Sequence, residues 1–273
     1  MHEIDRIIEA AKRMKRGIVA TIVATSGTTY RRAGARAVIS EDGQAAGTIS
    51  GGCLEKDLAA RCGEWLAFGL GLGCRGVIEL HIEPFDAEHP PRLVREFQWN
   101  GREPMTWETS IDGRLLLVES IRPPRHLAIF GGGADVDPLA RIAEQVGFAV
   151  SRFAPRDVHP ENVRNAVDLT QFDAAVIMTH NYLYDSALLE TLLATAIQYI
   201  GLLGPKARGE ELISPDRRDR VHSPIGLDLG GDTPEQIALA IVAEIEATLN
   251  RRTGQPLREL DGPLHVRPSV PCR

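Results

Sequence analysis

The first half of the chain combines an amphipathic helix with several short strands. Residues 2–15 are predicted to be helical because their apolar side chains recur at helical spacing, at Ile4, Ile7, Ile8 and Ala11. Short apolar runs bounded by turn residues predict three strands after this helix, at Ile18–Ala24, at Arg36–Ile39 and in a segment ending near Ile49. The pattern therefore favours a mixed α/β N-terminal domain.

A second helix and two further strands complete the first half. The apolar positions of Leu54–Phe68 face one way and predict the helix, while Val77–Ile82 and Leu115–Glu119 are predicted to be strands. Between these strands, residues 84–104 are rich in proline and charge and are expected to form an irregular, exposed excursion. Arg122–Arg125 contains two prolines and is interpreted as the linker to the second half.

Strands and helices alternate in the second half. The predicted strands are His126–Phe130, Ala149–Phe153, Ala174–Met178, Tyr199–Leu203 and Val221–Ser223. The predicted helices cover residues 137–146, 161–167, 186–196 and 208–212, and a last one starts at a capping box formed by Thr233, Pro234, Glu235 and Gln236. Such alternation is typical of a parallel sheet covered on both faces, so a Rossmann-like C-terminal domain is predicted, with domains at 1–121 and 122–273.

The composition fits a globular protein of two domains and excludes some functions. The 273 residues exceed what one domain commonly holds, and 43% hydrophobic with 25% charged residues allows a sizeable core. The net charge of -6, without a run of like charges, gives no basic surface for nucleic acid or for an anionic membrane. No apolar stretch is long enough to span a membrane and the N-terminus is amphipathic, so a cytoplasmic location is expected.

A glycine run follows the first strand of the second domain. Gly131, Gly132 and Gly133 lie between that strand and an apolar helix, which is where a Rossmann domain binds phosphate through backbone amides and the helix N-terminus. The third glycine of the dinucleotide fingerprint is replaced by Val136, however, and Ala154 stands where an acid would hold a ribose. A nucleotide site at Gly131 and Gly133 and a scaffold without a bound dinucleotide therefore both remain open.

Polar residues follow other strands of the second domain at their carboxyl ends. His180 follows the third strand, Asp185 is interpreted as the N-cap of the next helix, and Lys206 and Arg208 follow the fourth strand. Each has an ordinary alternative, because a loop histidine is often a hydrogen-bonded structural residue and a basic loop is often solvated. Their convergence on one edge of the sheet nevertheless favours an anionic ligand there.

The turn from Ser50 to Glu55 is the candidate for chemistry in the first domain. Gly51 and Gly52 join a strand to a helix, so the backbone amides of this turn can form a concavity for an anion. Cys53 follows at the helix N-terminus, a position that makes thiolate available for sulfur or metal chemistry. The alternative is that Cys53 is a small residue tolerated in a tight turn. The four cysteines contain no CxxC pair, so a structural metal site is not expected.

Several segments of the chain occur in an order that is typical of one protein family. The segments are Gly34–Arg36, Asp42–Gly43, Gly47–Glu55, Thr179–His180, Asp185, Tyr199–Gly204, Pro224–Gly230 and Thr233–Ala238. Taken together they resemble the xanthine dehydrogenase accessory protein family, also called XdhC/CoxI, over most of the chain. The resemblance implies a homodimeric maturation factor that binds molybdenum cofactor (molybdopterin) as cargo and supports its sulfuration by a cysteine desulfurase. Such a factor inserts the cofactor into a molybdenum hydroxylase of the xanthine dehydrogenase type.

For such a carrier, the cofactor-binding candidates lie in both domains. They are Ser50, Gly51, Gly52, Cys53 and Glu55 in the first domain, and Gly131, Gly133, His180, Asp185, Lys206 and Arg208 in the second. Cys53 is also the candidate metal ligand. The chain departs from the family at Ala134, where many members have a histidine, at Ala154, and in Gly27–Arg31, which contains less proline. These departures concern dinucleotide binding more than family membership.

Two other functions remain as alternatives. An NAD(P)-dependent oxidoreductase would bind its dinucleotide at Gly131 and Gly133 and use His180 as acid or base. A regulatory or assembly protein would need no small ligand at all. The family resemblance favours a maturation chaperone without catalytic residues over either of these.

Overall fold

The computed structural model describes residues 2–27, 29–60 and 77–260 of the chain. Two compact units are present, Met1–Pro124 and Arg125–Arg273. The end of the helix predicted over residues 54–68 lies outside the described residues, as do Cys62, Cys74 and Cys272. Each unit has its own hydrophobic core.

The first unit is a mixed α/β fold. Its helices are α1 (Glu3–Arg13), α2 (Cys53–Ala60) and α3 (Arg92–Glu96). Its strands are β1 (Arg16–Ser26), β2 (Arg36–Ser40), β3 (Ala45–Gly47), β4 (Val77–Asp86), β5 (Met105–Ile111) and β6 (Arg114–Ile121). Antiparallel pairing gives a four-stranded sheet in the order β3-β2-β1-β4 and a separate β5-β6 hairpin.

The central strands of the first unit are covered on both faces. The apolar stripe of α1 is buried against one face of the sheet, together with Val19 of β1 and Val38 of β2. The opposite face, which includes Ile18, is covered by α2 through Leu54 and Leu58. Neighbouring residues of a strand point to opposite faces, so the unbroken apolar run of β1 is explained by burial on both sides. This packing fixes the first turn of α2 against the sheet.

The expectation that residues 84–104 form an irregular, exposed excursion is wrong. β4 continues through Pro84 to Asp86, α3 follows it, and Leu93 and Phe97 are buried in the core of the unit. Proline is tolerated in β4 because this strand lies at an edge of the sheet, where a missing N–H need not break a ladder of hydrogen bonds. The prolines and charges of this segment concealed the apolar residues that anchor it.

The second unit is Rossmann-like, as predicted. Its strands are β7 (His126–Gly131), β8 (Ala149–Phe153), β9 (Ala174–Met178), β10 (Tyr199–Leu202) and β11 (Val221–His222), paired in parallel in the order β11-β10-β9-β7-β8. Its helices are α4 (Val136–Gln145), α5 (Val163–Ala166), α6 (Tyr182–Leu193), α7 (Lys206–Leu212) and α8 (Pro234–Leu249). One face of the sheet packs against α4 and α8, and the other face packs against α5 and α6.

Capping residues set the beginnings of two of these helices. α8 begins at the predicted capping box, in which Thr233 and Gln236 each accept a backbone N–H of the other residue. α6 begins earlier than predicted, because the side chain of Asn181 accepts a hydrogen bond from an amide of the first turn. The prediction that Asp185 is the N-cap of this helix is therefore wrong. Asp185 lies within the first turn of α6 and is fully buried.

Candidate functional site

The turn between β3 and α2 is organised around the carboxylate of Glu55. Five hydrogen bonds of up to 3.0 Å reach this carboxylate, from the amides of Ile49, Ser50 and Gly52 and from the hydroxyls of Thr48 and Ser50. The residue is 7% exposed. The hydroxyl of Ser50 also accepts a hydrogen bond from the Leu54 amide at 2.9 Å, so Ser50 caps the helix that follows.

Hydrogen bonding keeps Glu55 ionised in spite of its burial. Burial by itself would raise the pKa of this carboxyl, but the bonds from Ser50, Thr48 and the Ile49 amide outweigh burial and lower the pKa to about 2. The carboxylate therefore carries a full negative charge at neutral pH. It acts as a fixed anion at the centre of the turn.

The amides that were expected to bind an external anion are already occupied. Three of them donate to Glu55, and the Gly51 amide donates to the hydroxyl of Thr48 at 3.1 Å. Gly51 and Gly52 adopt φ angles of +83° and +111°, which other residues rarely adopt, so the turn depends on both glycines. The turn fixes Cys53 as the first residue of α2. The side chain of Cys53 lies outside the described part of the structure.

The glycine run of the second unit is explained by packing within the protein. A Cβ atom on Gly131 would lie 2.7 Å from the backbone oxygen of Met178, so this glycine allows β7 and β9 to approach each other. A Cβ atom on Gly133 would lie 2.5 Å from Oδ1 of Asp135, so this glycine makes room for a carboxylate. The run therefore has the position of a Rossmann phosphate loop but different contacts.

His180 and Asp135 face each other at the switch point of the parallel sheet. In the sheet, β7 lies between β8 and β9, so the chain passes from β8 across β7 to reach β9. In parallel sheets, such a reversal of strand order opens a crevice at the carboxyl ends of the strands. Nε2 of His180 lies 3.3 Å from Oδ2 of Asp135. His180 has a φ angle of +59°, which is uncommon for a residue other than glycine. The sequence pattern indicated His180, but an acid in the glycine loop is not part of the dinucleotide fingerprint, so Asp135 was missed.

Asp185 and Arg208 form a buried ion pair at the same edge. Nη2 of Arg208 donates to Asp185 at 2.5 Å, and the hydroxyl of Thr179 donates to the other carboxylate oxygen. The Asp185 side chain is fully buried and that of Arg208 is 17% exposed. Burial raises the pKa of Asp185, and the hydrogen bond from Thr179 and the charge of Arg208 oppose this rise only in part. The pair joins α6 to α7, so Arg208 is not the solvated residue that a basic loop would present.

Lys206 is an exposed cation of this edge. Its side chain is 77% exposed, and its ammonium group lies 3.9 Å from Glu210 on the next turn of α7. An exposed ion pair of this kind contributes little free energy, so the ammonium group can exchange Glu210 for a ligand anion. The structure thus brings together the predicted residues His180, Asp185, Lys206 and Arg208 on one edge of the second unit.

A further network, which sequence reasoning missed, joins α8 to the ends of β10 and β11. Glu244 accepts hydrogen bonds from the Tyr199 hydroxyl at 2.6 Å and from the Gly226 amide at 2.8 Å, and its other oxygen lies 3.1 Å from Nδ1 of His222. Burial would raise the pKa of Glu244, but these hydrogen bonds lower it. The sequence signal that could have indicated this network was Glu244, an acid beside the apolar stripe of α8.

Neither a metal cluster nor a membrane span occurs within residues 2–27, 29–60 and 77–260. In these ranges no three or more His, Cys, Asp or Glu side chains are grouped so that they could hold a metal ion. None of the helices in the same ranges combines the length and the apolar character needed to cross a membrane.

Two protein-family models match the chain, one in each unit. A model described as the XdhC and CoxI family matches residues 10–71, which include the Glu55 turn. A model described as the XdhC Rossmann domain matches residues 127–245, which include the pair of Asp135 and His180. The two matches lie in the order expected of a protein that contains both domains.

Individual relatives are similar over most of their lengths. A probable xanthine dehydrogenase subunit from Bacillus subtilis is 28% identical over 91% of this chain and 97% of its own length. The molybdenum cofactor insertion chaperone PaoD of Escherichia coli is 23% identical over 87% of this chain and 85% of its own length. A crystal structure of a xanthine dehydrogenase from Bacillus halodurans superposes with a TM-score of 0.75 at 26% identity, over 93% of this chain and 97% of that one. With both units matched, the chain belongs to the XdhC and CoxI family.

Proposed function

We propose that this protein is an accessory protein that carries molybdenum cofactor, supports its sulfuration and delivers it to a molybdenum hydroxylase of the xanthine dehydrogenase type. The observation that carries the proposal is the turn held by Glu55, which fixes Cys53 as the first residue of α2. Membership of the XdhC and CoxI family supports the proposal. Similarity to a relative named as a molybdenum cofactor insertion chaperone also supports it.

Cys53 is the proposed ligand for the metal end of the cargo. A thiol at a helix N-terminus ionises more readily than a free thiol, because the helix dipole and the first amides favour negative charge. Thiolate sulfur is a soft ligand, which suits a metal centre that also binds sulfur. A cysteine desulfurase is the proposed source of the sulfur added to the cofactor. In this scheme Ser50, Gly51, Gly52 and Glu55 act indirectly, because they fix the turn that carries Cys53.

The edge of the second unit is proposed to be a binding surface in its own right for a phosphate or a ring of the cofactor. Lys206 and His180 have exposed side chains that can donate hydrogen bonds to a phosphate or a ring. Arg208 is largely buried and paired with Asp185, so it stabilises this edge without offering its guanidinium to a ligand. Gly133 shapes the loop beside them. This arrangement offers the exposed donors of Lys206 and His180 to one ligand.

Purification from a host that makes molybdenum cofactor tests the cargo proposal. The wild-type protein is expected to contain molybdenum and to show pterin fluorescence after oxidation. Cys53→Ser is expected to retain severalfold less cofactor with an unchanged far-UV circular dichroism spectrum, whereas the matched variant Cys272→Ser should retain as much as wild type. Wild-type protein that is free of cofactor and does not bind added cofactor contradicts the proposal. Equal retention by Cys53→Ser would make Cys53 a turn residue only.

The assembly is proposed to be a cytoplasmic homodimer that binds neither nucleic acid nor membrane. The family resemblance implies the dimer, and the net charge of -6 disfavours polyanionic partners. Sedimentation velocity of the full chain at micromolar concentration is expected to give the mass of two chains. A single-chain mass over that range contradicts the dimer.

An NAD(P)-dependent oxidoreductase is the second candidate. The Rossmann topology and the glycine run between β7 and α4 favour it, with exposed His180 as the acid or base. Ala154 in place of a ribose-binding acid argues against it. Calorimetric titration of the full chain with NAD and NADP decides between the candidates, and the absence of heat with both dinucleotides removes this one.

A further inference from the structure

Asp135 lies where other Rossmann domains bind phosphate. It lies two residues after Gly133, with Ala134 between them, and is the N-cap residue of α4. Its carboxylate occupies the room that Gly133 leaves, and a second acid, Asp137, lies in the first turn of the same helix. Negative charge is therefore already present at this helix N-terminus. An incoming pyrophosphate would be repelled here, in contrast to its attraction by an ordinary Rossmann loop.

The pair of Asp135 and His180 offers a ligand a hydrogen-bond acceptor, whereas an ordinary Rossmann loop offers hydrogen-bond donors. The side chains of Asp135 and His180 are 25% and 58% exposed, so both reach the surface of the crevice. His180 has a left-handed backbone conformation, and such strained residues cluster at functional sites. Oδ1 of Asp135 is buried and has no hydrogen-bond partner among the described residues. A buried acceptor without a donor is costly, so a ligand that brings N–H groups would relieve this cost.

We propose that Asp135 and His180 form a subsite for a heterocyclic ring edge that carries two adjacent N–H donors. This inference rests on the proposed function, because the pterin of molybdenum cofactor carries such an edge in its ring amide N–H and its 2-amino group. The terminal torsion of an aspartate side chain is soft, so the carboxylate can turn from Gly133 toward the ring and accept both N–H groups. His180 then keeps the carboxylate oriented by donating from Nε2.

The chemistry of this edge predicts which rings bind and which do not. Guanine carries the same amide and amino donors as pterin, so it should compete for the subsite. Lumazine is the pteridine in which a carbonyl oxygen replaces the 2-amino group, so this oxygen would face the carboxylate of Asp135. A site built to hydrogen-bond a donor rejects an analogue that lacks it, because the acceptor is then left unpaired.

Fluorescence titration of the full chain with free pterin and with lumazine tests the subsite. Wild-type protein is expected to bind pterin about tenfold or more tightly than lumazine, and guanosine should displace pterin. Asp135→Asn is expected to abolish the preference, because the amide can donate to the lumazine carbonyl. Asp137→Asn changes a neighbouring acid that is paired with Arg152 and largely exposed, so this matched control should keep the wild-type preference.

The outcomes separate the subsite from the proposed function. Equal binding of the two pteridines by wild type, or an unchanged preference in Asp135→Asn, overturns the subsite. If wild-type protein still purifies with cofactor in that case, the proposed function stands without the subsite. Binding of guanosine without binding of pterin overturns the pterin assignment in favour of a guanine nucleotide. Wild-type protein that neither contains nor takes up cofactor overturns the proposed function, whatever the ring titrations give.

Discussion

Two carboxylates, Glu55 and Asp135, lie where backbone amides and helix N-termini favour negative charge. Glu55 accepts five hydrogen bonds from its own turn, so nothing remains for a ligand to satisfy. Asp135 faces His180 with one oxygen and has no partner for the other among the residues described. A fully satisfied carboxylate fastens the backbone around it, whereas an unsatisfied one is suited to bind a donor. Acidic side chains thus have a structural role in the first unit and, in the proposed subsite, a binding role in the second.

Glu55→Gln is expected to lower the free energy of unfolding at neutral pH by about 2 to 3 kcal/mol, because the amide group of glutamine accepts fewer bonds and brings donors of its own. The folded pKa of about 2 lies below the unfolded value of 4.5, so the stability that Glu55 contributes is present above pH 4.5 and is lost as the pH falls toward 2. Below pH 4.5 the difference between wild type and variant should therefore shrink by about 1.4 kcal/mol per pH unit. Urea denaturation at several pH values measures this difference, and a constant difference contradicts the prediction.

Elements with a local sequence signal were predictable. β8 and β9 occur at the predicted residues, and α8 begins at its capping box. α3 and β5 were missed because α3 is a short helix held by buried Leu93 and Phe97, and β5 exists through its pairing with β6. Their stability comes from contacts between segments, which a local pattern does not contain.

The candidate site follows the same rule. His180 and Cys53 could be named as candidates, one in each unit, because their positions at a strand end and a helix start are readable from the sequence. The hydrogen bonds and ion pairs around the candidate residues were not predicted, because they join segments that are far apart in the sequence. Asp135 meets His180 across the crevice, and Asp185 meets Arg208 between two helices. Only the folded sheet brings these partners together.

Asp185→Asn tests how strongly the ion pair joins α6 to α7. The variant leaves the guanidinium of Arg208 largely buried without its counter-ion, so the free energy of unfolding is expected to fall by about 3 kcal/mol. Glu190→Gln is the matched control, because Glu190 and Arg217 form an exposed pair at 2.6 Å, and its loss should cost less than about 1 kcal/mol. Urea denaturation of both variants gives the comparison. Similar losses of unfolding free energy in the two variants would show that the buried pair stabilises the protein no more than the exposed pair does.

Glu244→Gln tests how α8 holds the segment that follows β11. The Gly226 amide donates to Glu244 at 2.8 Å, and the Tyr199 hydroxyl shares the same oxygen. A neutral amide accepts these bonds more weakly, so the Gly226 amide is expected to exchange with solvent about tenfold faster in the variant. Hydrogen exchange followed by NMR measures this rate, with amides of α4 as internal references. Uniform acceleration across the unit would indicate global destabilisation and contradict a local role.

At the scale of the whole molecule, each unit has its own sheet and its own core and carries one candidate site. Each unit is also matched by a family model of its own. With a net charge of -6, the chain as a whole does not attract anions, so binding of the proposed anionic cargo would depend on donors placed locally, such as Lys206 and His180. Function in this protein therefore has to be tested on the intact chain.

The proposed delivery of cofactor is tested with the intact chain. In a host that makes molybdenum cofactor and a xanthine dehydrogenase-type hydroxylase but lacks an XdhC-type protein, coexpression of this chain is expected to raise hydroxylase activity severalfold. Cys53→Ser should lose most of this gain, because a carrier that retains less cofactor supplies less of it, whereas Cys272→Ser should behave as wild type. The molybdenum and terminal sulfide contents of the purified hydroxylase distinguish the steps: low molybdenum indicates failed insertion, and normal molybdenum with low sulfide indicates failed sulfuration. A hydroxylase that is equally active with and without this chain contradicts delivery.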